Sequence, residues 1–114
     1  MDSIVDKINA FRVSNGVAPI RYFDRLESDH CLAHALYMAG LDEPCHTPDY
    51  FLNGKGEAVG AHSCINSVVD TVGHIIFEQF GKSDKGHREI LLNNNIAYGV
   101  YTCNSMVYFV VRSW

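Results

Sequence analysis

An α+β domain, with a small antiparallel sheet covered by helices on both faces, is the fold this sequence predicts. Three observations carry it. Helical periodicity fills most of the chain as far as Leu92, two strand-like runs close it, and both runs are apolar at intervening as well as alternate positions. A strand wetted on one face alternates apolar with polar residues, whereas one covered on both faces is apolar throughout. At 114 residues, 47% of them hydrophobic, the chain is long enough to bury a core as a single domain spanning 1–114 without obligatory staples.

Asp2 or Ser3 caps a first helix whose Ile4, Ile8 and Phe11 recur at helical spacing, and Asn15-Gly16 stops it. After an extended link through Pro19-Ile20-Arg21-Tyr22, Asp24 with Glu27 three residues on forms a capping box and opens a second helix. Its apolar positions are Leu26, Ala33, Leu36 and Tyr37, it ends near Gly40, and Ala33, Ala35 and Ala39 point to close packing. Residues 41–56 hold Pro44, Pro48, Asn53, Gly54 and Gly56 and read as a long loop, a kind of segment that often carries function. Glu57–Ser63 is a short strand. Asn66 or Ser67 then caps a third helix with a broad face through Val68, Val69, Val72, Ile75, Ile76, Gln79 and Phe80, and Gly81 ends it. A fourth helix runs from Asp84 to Leu92 and breaks at Asn93-Asn94-Asn95. Strands at Ile96–Cys103 and Met106–Ser113 are joined by a turn at Asn104-Ser105.

A net charge of -4 without a Lys/Arg cluster leaves no electrostatic footprint for nucleic acid or an anionic membrane, partners held largely through phosphate neutralisation. No apolar run nears the roughly 20 residues that cross a bilayer, so a soluble monomer without a transmembrane segment is expected. Cys31, Cys45, Cys64 and Cys103 allow two disulfides or four free thiols, and none forms a CxxC pair.

Several histidines invite a chemical reading. His30 and His34 lie four apart on a helix, but Cys31 stands where the metalloprotease pattern H-E-x-x-H needs its general base, so core or surface roles are expected. His62 and His74 have no partner at ligand spacing and are read in the same way. Ser83 before His87, or Cys45 beside His46, would make a nucleophile–base pair, yet neither an orienting third group nor an oxyanion hole is evident.

The element order, taken with Ile8-Asn9-Ala10-Phe11-Arg12, Asn15-Gly16 and Pro19-Ile20, resembles the opening of the CAP superfamily (cysteine-rich secretory protein, antigen 5 and pathogenesis-related 1; SCP-like), whose first helix carries an N-x-x-R motif. Ala33-His34-Ala35 with Met38-Ala39 resembles the family's second helix, and Gly56-Glu57-Ala58 its Gly-Glu-Asn step with Ala58 in place of Asn. The segment from Gly86 to Leu92 resembles its His-containing segment in bacterial form, and Gly99-Val100 with the closing hairpin its last strands. The resemblance implies an α-β-α sandwich with a cleft where two His and up to two Glu converge. It places His46 and His87 as the histidines, Glu57 as the first Glu, and Glu78, flanked by Phe77 and Phe80 without the usual Trp, as the second.

Neutral imidazoles suit a borderline divalent cation such as zinc, with His46 and His87 as the expected ligands. The resemblance thus implies a noncatalytic extracellular or cell-surface binding domain for a small lipid, peptide, glycan or cation, the signal or an upstream region being absent from this sequence; a cytoplasmic home is the other expectation. The alternative function is a metal-assisted hydrolase of peptidase type in the same cleft, with Glu57 as general base. Arg88 is expected to anchor the short helix through a carboxylate or carbonyl.

Overall fold

A computed structural model describes residues 3–83 and 86–114, so Asp2 as a cap and Asp84 as the start of the fourth helix lie outside the described residues. In chain order the elements are α1 (Ile4–Ser14), α2 (Arg25–Leu41), a single turn α3 (Asp49–Leu52), β1 (Gly56–Ser63), α4 (Val68–His74) running on as a π-helical segment (Ile75–Phe80), α5 (His87–Leu92), β2 (Ile96–Cys103) and β3 (Met106–Ser113). The strands form one antiparallel sheet in the order β1-β3-β2. Its central strand is buried from Val107 to Ser113, as a strand covered on both sides must be.

One face of the sheet carries Ala58, Val107, Phe109 and Val111 into a core with Ile8 and Phe11 of α1, Val72, Ile75, Ile76 and Phe80 of α4 and its extension, and Leu91 of α5. The other face, with Tyr108 and Val110, packs on Cys31, Ala35, Met38 and Ala39 of α2. This is the α+β arrangement with helices on both faces.

Ser3 caps α1 through a reciprocal box: the Asp6 N–H donates to Ser3 Oγ at 3.2 Å and the Ser3 N–H to Asp6 Oδ2 at 3.0 Å. Asn9 and Arg12 then act as structural fasteners. Asn9 exchanges two bonds with the backbone of Ile20, at 2.9 and 2.7 Å. Arg12, only 2% exposed, donates from Nε to Ala18 O at 2.8 Å and from Nη1 to Leu91 O and Asn93 O at 2.8 and 2.6 Å. The guanidinium thus closes the carbonyl end of α5, where a cation also complements the helix dipole. Arg88 of α5 bonds the side-chain carbonyl of Asn15, in keeping with its expected anchoring role.

Helix α2 corrects the sequence expectation about its buried face. Leu26, Leu36 and Tyr37 are 67%, 45% and 60% exposed, and Ala33 is exposed too, while the small residues Cys31, Ala35 and Ala39 face the sheet. The reason is distance. A Cβ placed on Gly99 of β2 would lie 2.3 Å from the Leu32 backbone nitrogen, so helix and strand meet backbone to backbone and leave no room for a large side chain at that crossing, whereas Met38 nearer the end of the helix is fully buried. The expected capping box is half formed: Asp24 accepts from the Glu27 N–H at 2.9 Å, but the Glu27 carboxylate is engaged elsewhere. The long loop, expected to be irregular, contains the turn α3, and α2 ends one residue late, at Leu41, with Asp42 in the left-handed region at φ 58°.

Candidate functional site

Glu57 sits opposite Arg112 in the β1–β3 ladder, and both point to the α2 side of the sheet. The Glu57 side chain is fully buried, which for a carboxylate demands partners. It has four. The Thr47 N–H donates to Oε1 at 2.8 Å, the Thr47 hydroxyl to Oε2 at 2.7 Å, Arg112 Nε to Oε2 at 3.0 Å, and His46 Nδ1 to Oε1 at 3.2 Å. Arg112 also donates from Nη2 to Thr47 Oγ1 at 2.8 Å and from Nη1 to Glu27 Oε2 at 3.2 Å, and Lys55 and His30 approach the other Glu27 oxygen at 3.7 and 3.3 Å. Burial by itself pushes the Glu57 carboxyl up, but the bonds from the Thr47 hydroxyl and amide and from Arg112 outweigh it and hold the group below the usual carboxylate range. Glu57 is therefore an ionised, hydrogen-bonded anchor.

That anchor fixes His46. A carboxylate only accepts, so the His46 Nδ1 carries the proton and the lone pair resides on Nε2 of a side chain that is 53% exposed. His87, first residue of α5 after Gly86 in the left-handed region (φ 91°), places its ring centroid 6.0 Å from that of His46 and packs edge-on to Phe80 at 5.5 Å. The placement follows from the chain: Arg12 holds the far end of α5, Phe80 the near one.

Glu78 does not join them. It is exposed and pairs with Lys82 one turn on. The extension of α4 turns Ile75, Ile76 and Phe80 to the core and leaves Glu78 on the opposite side. Among the described residues no three His, Cys, Asp or Glu side chains gather where they could hold one ion.

Beside His46, though not bordered by His87, lies a cavity of about 410 Å³ between α2 and the 45–51 segment, bordered by His34, Tyr37, His46, Thr47, Phe51 and Arg112. Tyr37 and Phe51 are 60% and 68% exposed along its rim. A larger concavity of about 500 Å³, by Phe23, Leu32 and Tyr98, contains none of the expected site residues, so volume alone does not mark the site.

The other histidines separate. His34 Nε2 donates to Cys45 O at 2.6 Å and stacks on Tyr37, while His30 meets Glu27; the two do not share a partner, in keeping with surface roles. His62 and His74, which have no partner at ligand spacing along the chain, meet edge to face across the fold with ring centroids 4.6 Å apart. All four cysteines are free thiols. Burial, then the carboxylates of Glu43 and Glu57, push the Cys45 thiol up, which is the wrong direction for a nucleophile. Ser83, the other candidate nucleophile, ends the segment before residues 84 and 85 with its N–H on Phe80 O at 3.1 Å.

Sequence reasoning missed Arg112, Thr47 and Glu27, the groups that hold Glu57. One signal was there: Arg112 directly follows the apolar run 107–111 within the same covered strand, and a charge so placed needs a buried partner.

No family model and no curated protein matches the sequence. Solved structures do match its shape. NaASP2 with Zn2+ superposes with a TM-score of 0.63 at 13% identity, covering 96% of this chain and 75% of that one. The Schistosoma mansoni venom allergen-like protein 4 gives 0.65 at 13%, covering 96% and 83%. Na-ASP-1 gives 0.60 at 13%, covering 97% of this chain and 38% of its own. All three are CAP/SCP structures. The chain has the CAP fold. Within that CAP frame the N-x-x-R motif of α1 is accounted for structurally, by the bonds of Asn9 to Ile20 and of Arg12 to the end of α5.

Proposed function

We propose that this CAP domain is a noncatalytic binding module, extracellular or at the cell surface, whose cleft at His46 and His87 takes a small lipid, peptide or glycan, with a divalent cation such as zinc as an exchangeable component. The observation that carries this reading is the saturation of Glu57. A general base needs a free lone pair and a pKa near the working pH, and Glu57 has neither: four donors occupy it and its carboxyl is held low. The peptidase reading, which assigns proton transfer to Glu57, is disfavoured on that geometry. The apolar rim of Tyr37 and Phe51 beside the cavity supports contact with a ligand that carries apolar groups.

The donor chemistry at the two histidines fits a cation in part. His46 Nδ1–H tied to a carboxylate is the outer-shell arrangement that orients a metal-binding imidazole, and His87 is a second ring within reach of the same space. Two protein ligands suit an ion that comes and goes rather than one that holds the fold together. Bound there, zinc would act as a Lewis acid toward a ligand oxygen; Glu57 and Thr47 keep His46 in its tautomer, and Phe80 holds the ring of His87.

Zinc titration calorimetry on the parent and on His46→Ala and His87→Ala chains, with peptide turnover measured alongside, tests this reading. The expected result is at least tenfold weaker binding at one site in each variant and no peptide turnover in any chain. Zinc-dependent peptide cleavage abolished by Glu57→Gln would establish the peptidase instead.

A further inference from the structure

His62 and His74 lie on the face of the sheet opposite the cleft, one on β1 and one at the last position of α4, just where the helix widens into its π-helical segment. Their ring centroids are 4.6 Å apart with the planes inclined at 62°. Two imidazoles that share one zinc through nitrogens about 2.1 Å away in roughly tetrahedral geometry have centroids about 5 Å apart. The observed separation of 4.6 Å is close to that spacing.

A second, independent observation concerns the tautomer. His62 Nδ1 meets the carbonyl oxygen of Ser63 at 2.7 Å, and a carbonyl can only accept, so the proton is on Nδ1 and the lone pair on Nε2. An Nδ1–H held by a backbone carbonyl is the partner that metal-ligating histidines have in general, because it fixes both the ring and the basic nitrogen. Both residues are half-buried. Glu78, four residues after His74, is exposed and paired with Lys82, so the remaining coordination positions fall to water.

We propose that His62 and His74 form a second transition-metal site, two imidazoles completed by water, that fastens strand β1 to the end of α4. The site stands apart from the cleft and does not rest on the function assigned to His46 and His87. Zinc, nickel and cupric ions are the class it would take, since imidazole favours borderline cations.

Imidazole nitrogen-15 spectra of the unaltered chain during a zinc titration test it without any substitution. Nε2 of His62 and a ring nitrogen of His74 should shift together and saturate; a titration in which those two rings do not both move overturns the site. A His46→Gln/His87→Gln chain then isolates it. Zinc in excess should raise the Tm of that chain by at least about 3 °C, as a ligand bound to the folded state alone requires, and the rise should vanish when His62→Gln or His74→Gln is added. A Tm indifferent to zinc, or a rise that survives both further substitutions, contradicts the proposal. Because the cleft histidines are absent from the second experiment, failure here leaves the cleft reading standing, and failure of the cleft reading leaves this site standing.

Discussion

At the scale of single residues, the chemistry of the site is decided by how Glu57 is satisfied. A buried carboxylate with one partner would be a proton carrier; with two bonds from Thr47, one from Arg112 and one from His46 it is a fixed charge. The consequence for stability has a definite sign. Because the folded-state carboxyl lies below its unfolded value, the stabilisation is fully present above the unfolded pKa, roughly pH 4.3, and is lost as pH falls through the folded one. Urea denaturation from pH 7 to pH 3 should show stability falling through that acid window, and the slope should flatten in Glu57→Gln. The same substitution at neutral pH should cost about 3 kcal/mol, since it removes the charge from a buried pair and leaves the Arg112 guanidinium with Glu27 as its remaining anion. A Glu57→Gln chain as stable as the parent at pH 7 would show that the network contributes orientation alone.

Elements position these residues, and two contacts matter most. The approach of α2 to the sheet depends on Gly99, where any side chain meets the backbone of Cys31 and Leu32. Gly99→Ala should therefore destabilise by about 2 kcal/mol or more, the cost of forcing a packed interface apart, and equilibrium unfolding gives the value directly. Since α2 also bears His34 and Glu27, the cavity should change shape with it. Arg12 does the corresponding service for α5. Its three carbonyl partners come from the loop after α1 and from the end of α5, so Arg12→Ala leaves buried acceptors unmatched at an estimated cost of about 3 kcal/mol. The distinguishing readout is hydrogen exchange: amides of α5 should lose protection more than those of β3, whereas uniform loss would mean that Arg12 supports the core generally rather than that helix.

For the molecule as a whole, the order of elements and the covered sheet are legible because they rest on local signals: caps at Ser3, Asp24 and Ser67, breaks at Asn15-Gly16 and Gly81, and a closing run too apolar for a half-wet strand. The buried face of α2 is legible in part: Ala35 and Ala39 signal the close packing they make, but hydrophobicity also favours Leu26, Leu36 and Tyr37, and the position of Gly99 in space shows which criterion wins. The site divides in the same manner. His46, Glu57 and His87 stand out by type and by resemblance, but Thr47 and Arg112 are set by strand register, and Glu78 is excluded by the side of the helical segment it occupies. The contact of His62 with His74 depends on β1 lying beside α4, a relation no spacing in the chain encodes.

The central claim is that Glu57 orients His46 and takes no direct part in chemistry. A crystal structure of the zinc-soaked chain, with the ion located by its anomalous scattering, tests it most directly. The account predicts zinc on His46 Nε2 and His87, with both Glu57 oxygens still bonded to Thr47 and Arg112 and outside the coordination shell. A Glu57 oxygen bound to the ion, or swung free of Arg112 to hold a zinc-bound water, would contradict it.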